Sequence, residues 1–254
     1  MHLLGVTLIT NGVELGYPFV QCIRNLSKCC DRVLVSTDMD ANRDSTGRVL
    51  FELEEELGNI SIIFDAWDWS VNNGTDLAER INHCMDEALF VGGFDAVLYA
   101  QADEIVSFDE INKLKKVIDF ASTNIFLERT YFWKDLNHIN KSWTMHLPRL
   151  CVLTKGLRVV EDGMSMKVDD KFPSVYVPND VARIYHYSRV GDTKKIADRL
   201  NTLDSLFHET DSFSPIEEYM FGMNNNFESG AEKSLIEDIS VKHPDGIEVF
   251  YNKS

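Results

Sequence analysis

Short apolar segments of strand length alternate with segments of helical periodicity through the first 118 residues, and no other feature constrains the fold as tightly. Leu3–Ile9, Arg32–Thr37, Ile60–Phe64 and Ala96–Ala100 are rich in Val, Ile and Leu. They are apolar throughout rather than alternating, as strands covered on both faces must be. Between them, Pro18 opens a helix that carries Phe19, Val20, Ile23 and Leu26 on one face. A second helix turns Val49, Leu50, Leu53 and Leu57 inward, and a third runs through Ile81, Cys84, Ala88 and Leu89. Asp76 with Glu79, and Ser107 with Glu110, have the spacing of a capping box; the second pair predicts a helix through Leu114, Val117 and Ile118. Strands separated by helices imply βαβ units with right-handed crossovers. The expectation is an α/β fold with a mostly parallel sheet flanked by helices.

Beyond about residue 125 the pattern loosens into a mixed, irregular half. Strands are expected at Ile125–Phe132, Arg149–Leu153, Val175–Val177 and Ala182–His186. An amphipathic helix follows with Ile196, Leu200, Leu203 and Phe207 in register, and Ser214-Pro215-Ile216-Glu217 forms a further capping box. No linker, repeat or low-complexity tract interrupts the chain, so residues 1–254 are read as one domain.

The net charge of −16 repels nucleic acid and anionic membrane surfaces, and no general nucleic-acid affinity is expected. A phosphate-bearing substrate then needs a metal ion or a local cationic pocket. The five cysteines, Cys22, Cys29, Cys30, Cys84 and Cys151, form no C-x-x-C pair, which argues against a disulfide framework and a structural zinc site. Cys22 and Cys84 fall on apolar helix faces, as small core residues do. A reducing, cytoplasmic setting is the expectation. No apolar run approaches the roughly 18 residues that span a bilayer, so no transmembrane segment is expected.

In open α/β sheets, ligands bind beyond the carboxyl ends of the strands. Four polar groups fall there: Thr10-Asn11, Asp38, Asp65 and the run Gln101-Ala102-Asp103-Glu104. Polar residues end many strands because loops face water, and any one of these alone says little. Together they line one edge of the sheet with acceptors, which suits a nucleoside and a divalent cation. The Gly spacing of a dinucleotide fold is missing, since Asn11-Gly12-Val13-Glu14-Leu15-Gly16 offers only two glycines, and there is no P-loop. Diphosphate binding must therefore use side chains and a hard cation such as Mg²⁺ or Mn²⁺, for which Asp103 is placed.

The stretch from Phe94 to Val106 resembles the segment of family 2 glycosyltransferases that carries the D-x-D metal motif. Ile184-Tyr185-His186-Tyr187-Ser188 is similar to the H-Y-G/S segment near the end of such domains, and Glu161-Asp162 to the acidic pair that supplies a general base. The resemblance implies a GT-A-like fold, with a nucleotide-binding half over residues 1–124 and an acceptor-side half over 125–254. It implies a nucleotide-diphosphate sugar as donor and Mn²⁺ or Mg²⁺ as cofactor. Thr10, Asn11, Asp38, Asp65 and Gln101 would then contact the nucleotide, and Asp103 and His186 the metal. Asp162, with Glu161 beside it, would deprotonate the acceptor hydroxyl, giving inversion at the anomeric carbon. The acceptor is left open between a saccharide, a lipid-linked sugar, a protein and a modified base. Gln101 departs from the pattern, replacing the first acid of D-x-D with an uncharged amide.

Other readings stand beside these. His186 also fits a hydrogen-bonded structural histidine, and Glu161-Asp162 an exposed turn before Gly163. Arg149 or Lys155 would add charge near a diphosphate, or be solvated surface residues. Trp67, Trp69 and Trp143 invite stacking on a sugar or simple core packing, with Trp69 favoured for the sugar. His83 and His146 read as structural, and Lys113-Leu114-Lys115-Lys116 as a solvated helix face. Two rival functions remain: a sugar nucleotidyltransferase, and a catalytically degenerate nucleotide-sugar binding protein.

Overall fold

The structure, a computed structural model, describes residues 1–38, 43–68, 75–161, 163–192, 194–199 and 236–252. Its centre is a parallel run of strands: β1 (Leu3–Leu8) lies between β2 (Arg32–Asp38) and β4 (Ala96–Tyr99), and β3 (Ile60–Asp65) pairs outside β2. The sheet then turns mixed. β8 (Met145–Val152) runs antiparallel between β4 and β6 (Asn124–Lys134), and β7 (His138–Asn140) and β13 (Ile236–Asp238) extend the far edge. β11 (Ser174–Val177) and β12 (Arg183–Val190) pair with β6 in parallel, and β12 also pairs antiparallel with β5 (Glu104–Val106). β9 (Arg158–Val160) and β10 (Ser165–Lys167) form a separate hairpin.

The continuously apolar strands are explained by helices on both faces. Leu3 and Ile9 of the β1 segment, with Val33 and Val35 of β2, pack in a core with α1 (Phe19–Cys29) and α2 (Thr46–Leu57). Leu4 and Val6, the alternate residues of β1, face a second core with Val97, Tyr99 and α3 (Thr75–Val91). One strand thus feeds two cores because successive side chains point to opposite faces. All five cysteines are free and buried. Among the described residues no helix is long and apolar enough to cross a membrane.

Helix ends depart from the expected capping. α3 begins at Thr75, so Asp76 lies inside its first turn; its carboxylate accepts from the Asp68 amide at 3.1 Å and from Arg80 at 2.8 Å. Ser107 does occupy the N-cap of α4 (Phe108–Leu114), yet its hydroxyl makes no capping bond. Glu110 instead reaches to β12, accepting from Tyr185 Oη at 2.7 Å and the Arg183 amide at 3.2 Å. The tertiary partner outcompetes the local one. α4 also stops at Leu114, so Val117 is exposed rather than buried. Lys115 is not merely solvated, since its ammonium donates to the Cys29 carbonyl at the C-terminal end of α1. The turns of helix expected at Leu200, Leu203 and Phe207 and the Ser214–Glu217 box lie outside the described residues. Residues 194–199 are helical, with Ile196 buried, and α5 (Ile247–Asn252) closes the described chain.

Candidate functional site

β4 ends at the centre of the sheet, and the chain leaves it in a tight turn. The Gln101 carbonyl accepts from the Glu104 amide at 2.9 Å, and the Gln101 amide donates to the Glu104 carboxylate at 3.2 Å. Gln101 is held from below by the Cys22 thiol, which donates to its carbonyl at 3.4 Å. Glu104, fully buried, takes a two-pronged bond from Arg149 of β8, at 2.8 Å from Nε and 3.0 Å from Nη2. Nη1 of Arg149 donates to the Met164 carbonyl at 2.6 Å. Arg149 is therefore a structural strut inside the protein and not a cation for a diphosphate. Lys155 is exposed beyond the end of β8.

The strut anchors β5 at its first residue. β5 pairs with β12 so that His186 lies opposite Glu104, and the Tyr187 amide donates to the Asp103 carbonyl at 2.9 Å. The Asp103 carboxylate then faces the imidazole, with Oδ2 3.6 Å from His186 Nε2. The Asp103 side chain is 13% exposed. Burial, and then the neighbouring Glu104 carboxylate, push its pKa up to about 6, against the pull of Arg199 and Arg129. The same burial, reinforced by Arg129, Arg189, Arg149 and Arg199, pushes His186 well below the usual imidazole range. His186 is thus neutral at pH 7. Its Nδ1 is 3.4 Å from Ser188 Oγ, which in turn bonds Tyr131 Oη at 2.6 Å, and its ring packs on Tyr131 at 4.4 Å. These contacts fix the ring and leave Nε2 toward the carboxylate.

Asp103 and His186 open onto a cavity of about 520 Å³, within the usual range for small-molecule sites. Thr10, Gln101, Trp67, Tyr131 and Trp143 share its wall. Of the expected nucleotide contacts, Thr10, Gln101 and Asp103 are brought together there. Asn11 lies next to Thr10 in a left-handed conformation (φ 50°), its side-chain oxygen accepting from the Arg43 amide at 2.8 Å. Asp38 is buried at the end of β2, and its carboxylate accepts from the Trp67 amide at 3.3 Å. Asp65 does not line the cavity and is engaged by Ser36 at 3.1 Å and His83 at 3.0 Å. His83 is accordingly structural, and His146 packs edge-on against Tyr176.

Glu161 sits exposed in the β9–β10 turn with φ 56°, and Asp162 lies outside the described residues, as does Trp69. The turn approaches the site through Gly163, whose carbonyl accepts from Tyr99 Oη at 2.6 Å, and through Met164 on the cavity wall. Sequence alone did not point to the cations. Arg129 of β6 and Arg189 of β12 line the cavity, and Arg199 lies close enough to act on Asp103. Arg129 and Arg189 stand in strands of the mixed half, where a charged residue in an apolar run was the available signal, whereas Arg199 sits in the helical segment 194–199 and gave none.

The donor set fits a divalent ion. It pairs one hard carboxylate oxygen with a neutral imidazole nitrogen, the form that ligates metals. Among the described residues no third His, Cys, Asp or Glu converges with them, so remaining positions would fall to water and substrate oxygens, as is common for Mg²⁺ and Mn²⁺.

No family model matches the chain, and no curated protein matches it. Among solved structures, S. aureus TarS 1–349 in complex with UDP-GlcNAc aligns over 89% of this chain and 75% of that chain, at 12% identity and a TM-score of 0.50. A mannosyltransferase from Pyrobaculum calidifontis in complex with GDP-Man and Mn²⁺ aligns over 50% of this chain and 35% of that one, at 14% identity and TM-score 0.37. The bifunctional IspDF from Campylobacter jejuni aligns over 71% and 51%, at 12% identity and TM-score 0.39. The latter two scores are too low to argue from. The first is a likeness of fold: a GT-A-like α/β architecture, its mostly parallel N-terminal sheet flanked by helices and continued by a mixed half.

Proposed function

We propose that this chain is a glycosyltransferase, of the family 2 type, that moves a sugar from a nucleotide-diphosphate donor to an acceptor hydroxyl. The observation that carries the reading is Asp103 facing His186 at 3.6 Å, at the carboxyl end of β4 and over a cavity of ligand size. Thr10, Asn11, Asp38 and Gln101 would hold the nucleoside; Asp65, committed to Ser36 and His83, would act only by supporting the edge of the site. Asp103 and His186 would hold Mn²⁺ or Mg²⁺, which supplies positive charge to the leaving diphosphate. In the reaction the acceptor oxygen bonds to the anomeric carbon as the bond from that carbon to the phosphate oxygen breaks. The hydroxyl proton passes to a carboxylate, for which Asp162, with Glu161 in the same turn, is the candidate. Attack from the face opposite the leaving group inverts the anomeric centre.

The test is calorimetric titration of uridine and guanosine diphosphates with and without Mn²⁺, followed by a turnover screen over nucleotide sugars. The reading predicts metal-dependent binding that Asp103→Asn weakens at least tenfold. Metal-independent binding, or binding indifferent to Asp103→Asn, would sink it.

A second reading is a binding protein without turnover. It is favoured by one observation: among the described residues on the cavity wall, Asp103 is the sole carboxylate, and Gln101 brings no charge. Tight nucleotide-sugar binding with neither transfer nor hydrolysis would select it. The sugar nucleotidyltransferase has less support, because Thr10–Gly16 contains no Arg or Lys for a triphosphate.

A further inference from the structure

Arg129 is a buried cation that makes no ion pair among the described residues, although its charge reaches Asp103. It is 5% exposed, projects from β6 and lines the cavity. Among the described residues its Nη1 and Nη2 donate only to the sulfurs of Met164, at 3.4 Å, and Met145, at 3.8 Å. The guanidinium lies 5.4 Å from the Tyr131 ring centroid, and Nε has no hydrogen-bond partner. No carboxylate among the described residues stands within ion-pair distance of it. Arg149, fully buried on the neighbouring strand, shows what the same side chain receives when its role is structural: a two-pronged carboxylate and a carbonyl. Thioether sulfur is a weak acceptor, and a buried charge without a partner is strongly disfavoured. A position so unfavourable in the free protein is accounted for by a ligand that completes it.

We infer that Arg129 is the anchor of an oxyanion subsite in the cavity, taking a carboxylate or phosphate group carried by the substrate in addition to the donor's diphosphate. The planar fork of arginine matches both groups, forming two parallel hydrogen bonds. The surroundings fit a sugar bearing such a group. Trp143, 39% exposed, lines the same wall, packs edge-on against Tyr131 at 4.8 Å and has the Arg189 guanidinium 5.8 Å from its ring centroid, so the cavity offers aromatic surface as well as charge. Met145 and Met164 flank it with adaptable apolar surface. The anion can be carried by the acceptor or by the transferred sugar, and the chemistry at Arg129 is the same.

This inference rests on the cavity being a substrate site, and the experiment separates it from the donor reading. Isothermal titration of the full chain would use glucuronate and glycerol 3-phosphate as probes, with glucose and glycerol as uncharged controls, each with and without saturating uridine diphosphate and Mn²⁺. The anionic probes are expected to bind at least tenfold more tightly than the controls, and to do so with the nucleotide present. Arg129→Met should abolish that preference, and Arg129→Lys should keep part of it. Uridine diphosphate affinity should change less than about threefold in Arg129→Met. Melting curves check folding, and Arg129→Met is expected to melt higher than the wild type because it removes an uncompensated buried charge.

Anion binding that survives Arg129→Met overturns the inference. So does competition by uridine diphosphate together with an equal loss of nucleotide affinity in Arg129→Met, which would place Arg129 in the diphosphate subsite. If the wild type binds no nucleoside diphosphate, the donor reading fails while the anion titrations still decide the role of Arg129. With nucleotide sugars in hand, activity on neutral donors with anionic acceptors assigns the group to the acceptor, and the reverse assigns it to the sugar.

Discussion

Asp103 carries two consequences at the scale of a single residue. Its carboxyl titrates near 6 in the folded protein because burial and the Glu104 charge disfavour ionisation. The folded value lies above that of an unfolded aspartate, about 4. Its contribution to stability is therefore full below about pH 4 and is lost as the pH rises through about 6. Asp103→Asn, which mimics the protonated form, should stabilise the protein by ~1–3 kcal/mol at pH 7.5, and the gain should vanish below pH 4. Chemical denaturation of both proteins across that window checks it; a pH-independent difference would mean that Asp103 is not destabilised by ionisation. On the proposed reading, stability and function pull in opposite directions at Asp103, as expected where a charge is kept for a ligand. Its location was legible in the sequence, since a polar run closing an apolar strand marks a sheet edge. The partner was less so: His186 reads equally well as structural until β5 and β12 are paired.

Among elements, the tie between β5 and β8 decides whether the site exists. Glu104 and Arg149 are both fully inside the protein, and removing one leaves the other charged and unpaired. Glu104→Ala should lower stability by ~3–5 kcal/mol, while replacing both with apolar residues of similar volume should lower it far less. A thermodynamic double-mutant cycle measures the difference. Losing the pair should also weaken nucleotide binding, because the Gln101–Glu104 turn hangs on the same carboxylate. At the other end of the sheet, Gly58 terminates α2 in the left-handed region (φ 71°), where a side chain is strained. Gly58→Ala should cost about 1 kcal/mol with no effect on ligand binding. The helices themselves were readable from their periodicity, but their caps were not. Asp76 and Glu110 had the right spacing, but Asp76 pairs with Arg80 one turn along the same helix, and Glu110 takes Tyr185, a partner that only the folded chain supplies.

For the whole molecule, the charge of −16 and the arginines around the cavity oppose one another. An anionic nucleotide approaching from bulk meets a repelling field, which salt screens over roughly 8 Å at physiological strength. Association of uridine diphosphate, followed by stopped flow with excess Mn²⁺, should therefore speed up between about 10 and 150 mM salt. A slowing would show instead that Arg129, Arg189 and Arg199 dominate the field at the mouth.

Local sequence specifies the parallel half: which segments are strands, that helices cover both faces, and that polar groups gather where β1, β2 and β4 end. Those features follow from local periodicity and from the rule that strands buried on both sides must be apolar, so neighbours along the chain suffice to specify them. Tertiary structure decided the rest. It committed Asp65 to Ser36 and His83, drew Arg149 into the interior as the partner of Glu104, and set His186 opposite Asp103. It also left Arg129 between two sulfurs on the cavity wall. Each of these is a pairing between residues far apart in sequence, most of them fixed by the register of strands in the mixed half. A charge in such a strand has several possible partners until that register is set, and the register chooses one of them or, for Arg129, leaves it without an ion pair among the described residues.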